Sequence, residues 1–247
     1  MTDDGTSPQP AARRFRVATI AGTTIDVRIS FVVLAGVFVL LELDRQVPLK
    51  LALLWIPVLF VSVLIHELAH AGTIAAFGFG TSRIELGGWG GETFNRRRAA
   101  PWQEMLISLA GPASSLALAY LVIWILPSLQ QAKTNTLLLA FMAMMAFANQ
   151  KWGLLNLVPI LPLDGGQIVL HGLRHVVRPA LAFTFATWLS LVLSAVLGAA
   201  AAFLYQQWIL AFIALSLVMQ NWAQWKEFKK WIAGREAAHA GEGDPSG

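Results

Sequence analysis

The sequence predicts an all-α polytopic membrane protein of about six transmembrane helices with short interfacial β-hairpins, and three observations carry that expectation. Of its 247 residues, 56% are hydrophobic and 13% charged, against about 45–50% and about 25% in a soluble domain. Residues 51–77, 105–125 and 180–205 each supply the roughly 20 apolar positions needed to cross a bilayer. The basic residues are also unevenly spread. With the amino terminus inside, 14 of the 18 Lys and Arg fall on the cytoplasmic side, Arg45, Lys50 and Lys133 fall outside, and Lys151 lies within a span. That bias places both termini in the cytoplasm, as in a multi-pass protein of a bacterial plasma membrane.

The elements follow in chain order. Residues 1–12 are polar and predict a disordered tail, not a signal peptide. Residues 15–29 (FRVATIAGTTIDVRI) alternate apolar with polar around Ala21-Gly22, a hairpin signature. A short first span covers 30–43, and the second covers 51–77. Residues 81–94 (TSRIELGGWGGETF) alternate and then bend at Gly87, Gly88, Gly90 and Gly91, predicting a second hairpin. The third span is 105–125. The fourth, 136–161, is interrupted by Asn149, Gln150 and Lys151. Small residues from Ser194 to Ala200 in the fifth span predict close helix packing, and 208–222 is a short sixth span. Residues 233–247 predict a flexible tail, leaving one membrane-embedded domain over 13–232.

Chemistry concentrates in two places. His66-Glu67-Leu68-Ala69-His70 lies in the second span. Histidines at i and i+4 share a helix face, so both imidazoles can reach one metal, and the glutamate can take a proton from the attacking water. Ionisable groups inside a span are costly and point to function. The chain has no cysteine, so a third zinc ligand must be His, Asp or Glu. Asp164 is the strong candidate, within Asn156-Leu157-Val158-Pro159-Ile160-Leu161-Pro162-Leu163-Asp164-Gly165-Gly166. Prolines there stop the helix, the glycine pair permits a tight turn, and irregular backbone at that depth implies a cavity.

The two motifs together resemble the site-2 protease family, the intramembrane zinc metalloproteases. The resemblance extends over roughly 15–178, to Leu109-Ala110-Gly111-Pro112 opening the third span, to the hairpin ahead of the first span, and to Asn149. It implies that His66, His70 and Asp164 bind one Zn2+ per chain, that Glu67 is the catalytic base, and that Asn156 shapes the substrate site. Ser115 and Leu161 depart from the family pattern at positions tied to substrate contact more than to metal. A minimal form without PDZ or CBS domains is expected.

The function expected is an endopeptidase cutting the transmembrane helix of a single-span substrate near the cytoplasmic face, in regulated intramembrane proteolysis. The partners expected are that substrate and the lipid bilayer, with no nucleic acid. An edge strand could hold the unwound substrate extended, with the glycine-rich 81–94 segment, Gly87 and Gly88 included, as the candidate edge. Three other readings compete. A catalytically idle helix-binding relative would not need Glu67. A metal transporter would want a further acid or histidine in the other half of the membrane. A zinc protease with glutamate as third ligand would leave the Asp164 motif unexplained. His171 and His175 also stand at i, i+4 but read as interfacial, and Lys151 has no assigned role.

Overall fold

The computed structural model describes residues 14–95, 99–132 and 134–241. The tail expected over 1–12 and the basic residues Arg13, Arg96, Arg97, Arg98 and Lys133 lie outside them. The elements run β1 (Arg14–Ile20), β2 (Thr23–Arg28), α1 (Ile29–Asp44), α2 (Leu49–Ala52), α3 (Trp55–Ala76), β3 (Arg83–Gly87), β4 (Gly90–Phe94), α4 (Pro101–Gln131), α5 (Thr136–Asn156), α6 (Asp164–Leu173), α7 (Pro179–Phe203) and α8 (Trp208–Gly241). Contacts divide the chain into two compact units, Met1–Arg98 with Ala110–Leu154, and Ala99–Leu109 with Leu155–Gly247.

The protein is mostly helical with one small sheet. Three helical stretches are long and apolar enough to cross a membrane: Leu49–Ala76, Pro101–Gln131 and Pro179–Phe203. They match the three clean segments of the sequence. The other three expected spans also form helices but fall short of that measure, so three of the six expected spans are supported by length and composition among the described residues. At 16 residues, α1 falls just under the about 17 residues at the lower end of spanning helices. In α5 the run Asn149-Gln150-Lys151 breaks the apolar stretch, and α8 turns polar at Gln220 and Asn221. It then continues as helix to Gly241, through part of the segment expected as a tail, where Ala, Arg and Glu are good helix formers.

Both expected hairpins form. In the first, Ala21 and Gly22 have φ of 47° and 81°, the left-handed pair that a tight two-residue hairpin turn demands. The sequence did not reveal that the hairpins share a sheet. Its order is β1-β2-β3-β4, with β2 and β3 parallel and Ile25 opposite Ile84, joined across the intervening helices. One sheet face packs Ile25, Val27, Ile84 and Leu86 into a core with Phe31, Trp55, Val58 and Val63 of α1 and α3. The opposite face carries Asp26 and Glu85, buried to 3% and 5% exposure. Arg16 and Arg83 bond Asp26 at 3.3 and 3.0 Å, and Arg14, Arg28 and Arg83 surround Glu85.

In the second unit α7 and α8 pack closely, as the small residues foretold. A Cβ on Gly198 would stand 2.9 Å from the Cβ of Ala214.

Candidate active site

Helical periodicity in α3 puts His66, Glu67 and His70 inside the first unit, at 3%, 4% and 7% exposure. The two imidazoles lie edge to face with centroids 4.8 Å apart. Facing them is Gly111, and what its missing side chain leaves open is informative. A Cβ there would sit 2.3 Å from His70 Nε2 and 2.6 Å from His66 Nε2. Both Nε2 atoms therefore lie against Gly111, and a side chain of any size at 111 would collide with both rings. The Gly-Pro motif does not open the third span, as expected; it lies inside α4, which starts ten residues earlier at Pro101. Helix α4 accommodates Pro112 internally.

Nδ1 of His66 lies 3.1 Å from the Ser115 hydroxyl, which is fully buried. Ligating histidines characteristically have their second nitrogen bonded in this way, fixing ring and tautomer. Ser115, expected as a substrate contact, stands within hydrogen-bond distance of the His66 ring.

Glu67 is set against the sheet. Thr93 Oγ1 donates to its Oε2 at 2.7 Å. A Cβ on Gly91 would fall 2.3–2.5 Å from the Glu67 side chain, so glycine is what allows β4 to approach. On the neighbouring residue, a Cβ at Gly90 would stand 2.7 Å from Trp152. Gly87 and Gly88 are not an open edge. Gly87 closes the hairpin opposite Gly90, and the Gly88 N–H donates to Ser30 Oγ at 3.0 Å. Of the second hairpin's strands, β4 is the one at a sheet edge, because β3 is flanked on both sides. Neither Thr93 nor Gly91 was singled out as supporting the base; the glycine run was the only signal for this strand.

Asn149, another expected substrate contact, is fully buried, and its amide donates to Ser62 Oγ and to the Met145 carbonyl, each at 2.8 Å. It ties α5 to α3. Lys151 has its Nζ 5.8 Å from the Phe147 ring centroid, one turn back, a cation–π contact.

In the second unit, α5 ends at Asn156, which is 9% exposed, three residues before Pro159. Pro159 cannot donate to a helical ladder and biases the residue before it away from helix. Asp164 is the first residue of α6, where an acid suits the helix N-terminus. Gly165 and Gly166 serve close approach, not the tight turn expected. A Cβ on Gly165 would lie 2.3 Å from the Leu157 carbonyl oxygen, and one on Gly166 2.5 Å from the Leu161 nitrogen. His171 is half-buried beside Arg174, whose guanidinium lies 3.5 Å from its Nδ1. A guanidinium only donates, so that nitrogen accepts. Burial pushes the imidazole below its ordinary value of 6.5, Glu104 opposing and Arg174 adding to the effect. His175 is exposed.

The comparisons agree with this geometry. A profile of Peptidase family M50 matches residues 54–200, covering the His66 and Asp164 motifs together. The Synechocystis protein named "Putative zinc metalloprotease sll0528" is 33% identical over 129 residues, 52% of this chain and 33% of that protein. "Zinc metalloprotease MJ0392" of Methanocaldococcus jannaschii is 29% identical over 154 residues, 62% of this chain and 44% of its own length. The chain thus spans between a third and less than half of these curated relatives. The solved structure titled "Site-2 Protease from Methanocaldococcus jannaschii" superposes with a TM-score of 0.63 at 22% identity, over 85% of this chain and 94% of that one, a likeness of fold. The match to more than half of the chain settles the family: this protein belongs to peptidase family M50, the site-2 protease family.

Proposed function

We propose that the protein is a zinc-dependent intramembrane endopeptidase that cuts a transmembrane helix of a single-span substrate near the cytoplasmic face. The observation that carries this reading is the pair of buried imidazoles on one face of α3, edge to face with both Nε2 atoms against Gly111, with a buried glutamate between them in sequence. In the proposal His66, His70 and Asp164 hold the metal. Two imidazoles and one carboxylate are a donor set that zinc accepts with a position left open. Zinc, when bound, supplies Lewis acidity toward the scissile carbonyl and toward water.

The remaining steps belong to the chain. Glu67 takes the proton of the attacking water on its carboxylate and returns it to the leaving nitrogen. Thr93 holds that carboxylate, and Ser115 holds the His66 ring. Helical peptide bonds are shielded, so the substrate must unwind; an extended segment pairing with β4 would lie beside the base. Asn156 shapes the substrate site. The proposal includes one membrane-embedded domain over 13–232, six spans and cytoplasmic termini, which the basic-residue bias supports.

Purified protein in liposomes, tested against a panel of single-span substrates, decides the reading. Cleavage within the span on its cytoplasmic half, faster where a Gly or Pro weakens the substrate helix and abolished by Glu67→Gln, is expected. Zinc-loaded, folded protein that cuts none of the panel would contradict it.

A further inference from the structure

The backbone that delivers Asp164 is gripped from outside both metal-binding motifs, and we infer that Ser190 on α7 and Asn221 on α8 are positioning residues for the Asp164 carboxylate. Between α5 and α6 the chain leaves helical geometry, and its backbone groups need partners where water is scarce. At Leu161, itself 2% exposed, both groups are met by side chains. Its N–H donates to Ser190 Oγ at 2.8 Å, and Asn221 Nδ2 donates to its carbonyl at 2.6 Å.

Both clamps are rigid. Ser190 and Asn221 are fully buried. Each is also anchored to its own helix: Ser190 Oγ donates to the Ala186 carbonyl at 2.7 Å and Asn221 Nδ2 to the Leu217 carbonyl at 2.9 Å. The grip passes on to Asp164 through contacts that leave no slack. The Leu163 N–H bonds the Ile160 carbonyl at 2.8 Å, and α6 begins at the next residue. Gly165 and Gly166 press its first turn against the backbone of 157–161 at distances that exclude any side chain. Helices α7 and α8 could pack on each other with apolar residues at 190 and 221. The polar pair serves the broken segment.

This inference rests on Asp164 being the third ligand, and the experiment separates the two. Zinc affinity is measured on intact, detergent-solubilised protein by competition with a chromophoric chelator, for Ser190→Ala, Asn221→Leu and Ser190→Thr, each alone and combined with Asp164→Ala. Loss of a group that orients a metal ligand typically weakens affinity about 10–100-fold, and that loss is expected for Ser190→Ala and Asn221→Leu. Ser190→Thr keeps the hydroxyl and should retain wild-type affinity. Neither change should weaken binding further once Asp164 is Ala. If Asn221→Leu does not fold, Asn221→Ser, whose hydroxyl is too short to reach Leu161, takes its place. Unchanged affinity, or the same loss with and without Asp164, would overturn the positioning role. Wild-type affinity in Asp164→Ala alone would instead overturn the ligand assignment, and the clamp with it.

Discussion

Glu67 and Glu85 are both buried glutamates of the first unit, at 4% and 5% exposure, and their surroundings part them. Glu85 sits among Arg14, Arg28 and Arg83, with the Arg28 Nε donating to it at 2.7 Å. Its oxygens are occupied by cations that secure β1, β2 and β3 to one another. Glu67 accepts from a neutral hydroxyl, Thr93, and follows His66 directly, one turn before His70. Burial alone therefore does not mark a catalytic acid. A carboxylate bracketed by guanidiniums is committed to the fold, whereas Glu67 takes a hydroxyl partner beside the two imidazoles proposed to hold the metal.

The strongest test of that contrast exchanges the two acids in turn. Glu67→Gln is expected to lower cleavage by at least about 10²–10⁴-fold with folding unchanged. Glu85→Gln should keep cleavage in the surviving folded protein while lowering stability by about 1–3 kcal/mol, from guanidiniums left without their acceptor. Unfolding by denaturant alongside the cleavage assay separates the two, and a reversed pattern would break the comparison. Gly111→Ala comes next. Its methyl would collide with both imidazole rings, so zinc content should fall to near zero in a chain that still folds. Thr93→Val removes the hydroxyl at nearly constant volume; kcat is expected to fall about 10-fold with KM held, and Thr93→Ser to recover most of it. The smallest effect concerns His171. A histidine whose folded value lies below 6.5 contributes stability that is complete above that value and is lost as pH falls through the lower folded one. His171→Gln should remove this acid-side step from a melting series between pH 8 and 5, detected by tryptophan fluorescence.

Much of this was readable from the chain. The i, i+4 histidines, the intervening acid and the Pro-rich approach to Asp164 are local patterns, and local geometry preserves them. The hairpins were visible for the same reason, since a left-handed Ala-Gly pair leaves a short-range signature. What escaped the reading is nonlocal. The parallel pairing of β2 with β3 crosses more than fifty residues, and no periodicity encodes it. The contact of Ser115 with His66 was hidden for the same reason, since the two stand 49 positions apart. Gly165 and Gly166 suggested a turn, but what they supply is close backbone approach, which only coordinates reveal. Asn221 was missed although it carried a signal: an amide within an apolar stretch must find a partner, and here the partner is Leu161.

The claim on which everything else depends is that His66, His70 and Asp164 bind one zinc. Elemental analysis of purified protein, per mole of folded chain, tests it most directly. About one zinc is expected for wild type, Glu67→Gln and Glu85→Gln, and little or none for His66→Ala, His70→Ala or Asp164→Ala. Full zinc in any of those three alanine variants, or none in folded wild-type protein supplied with the metal, would contradict the account.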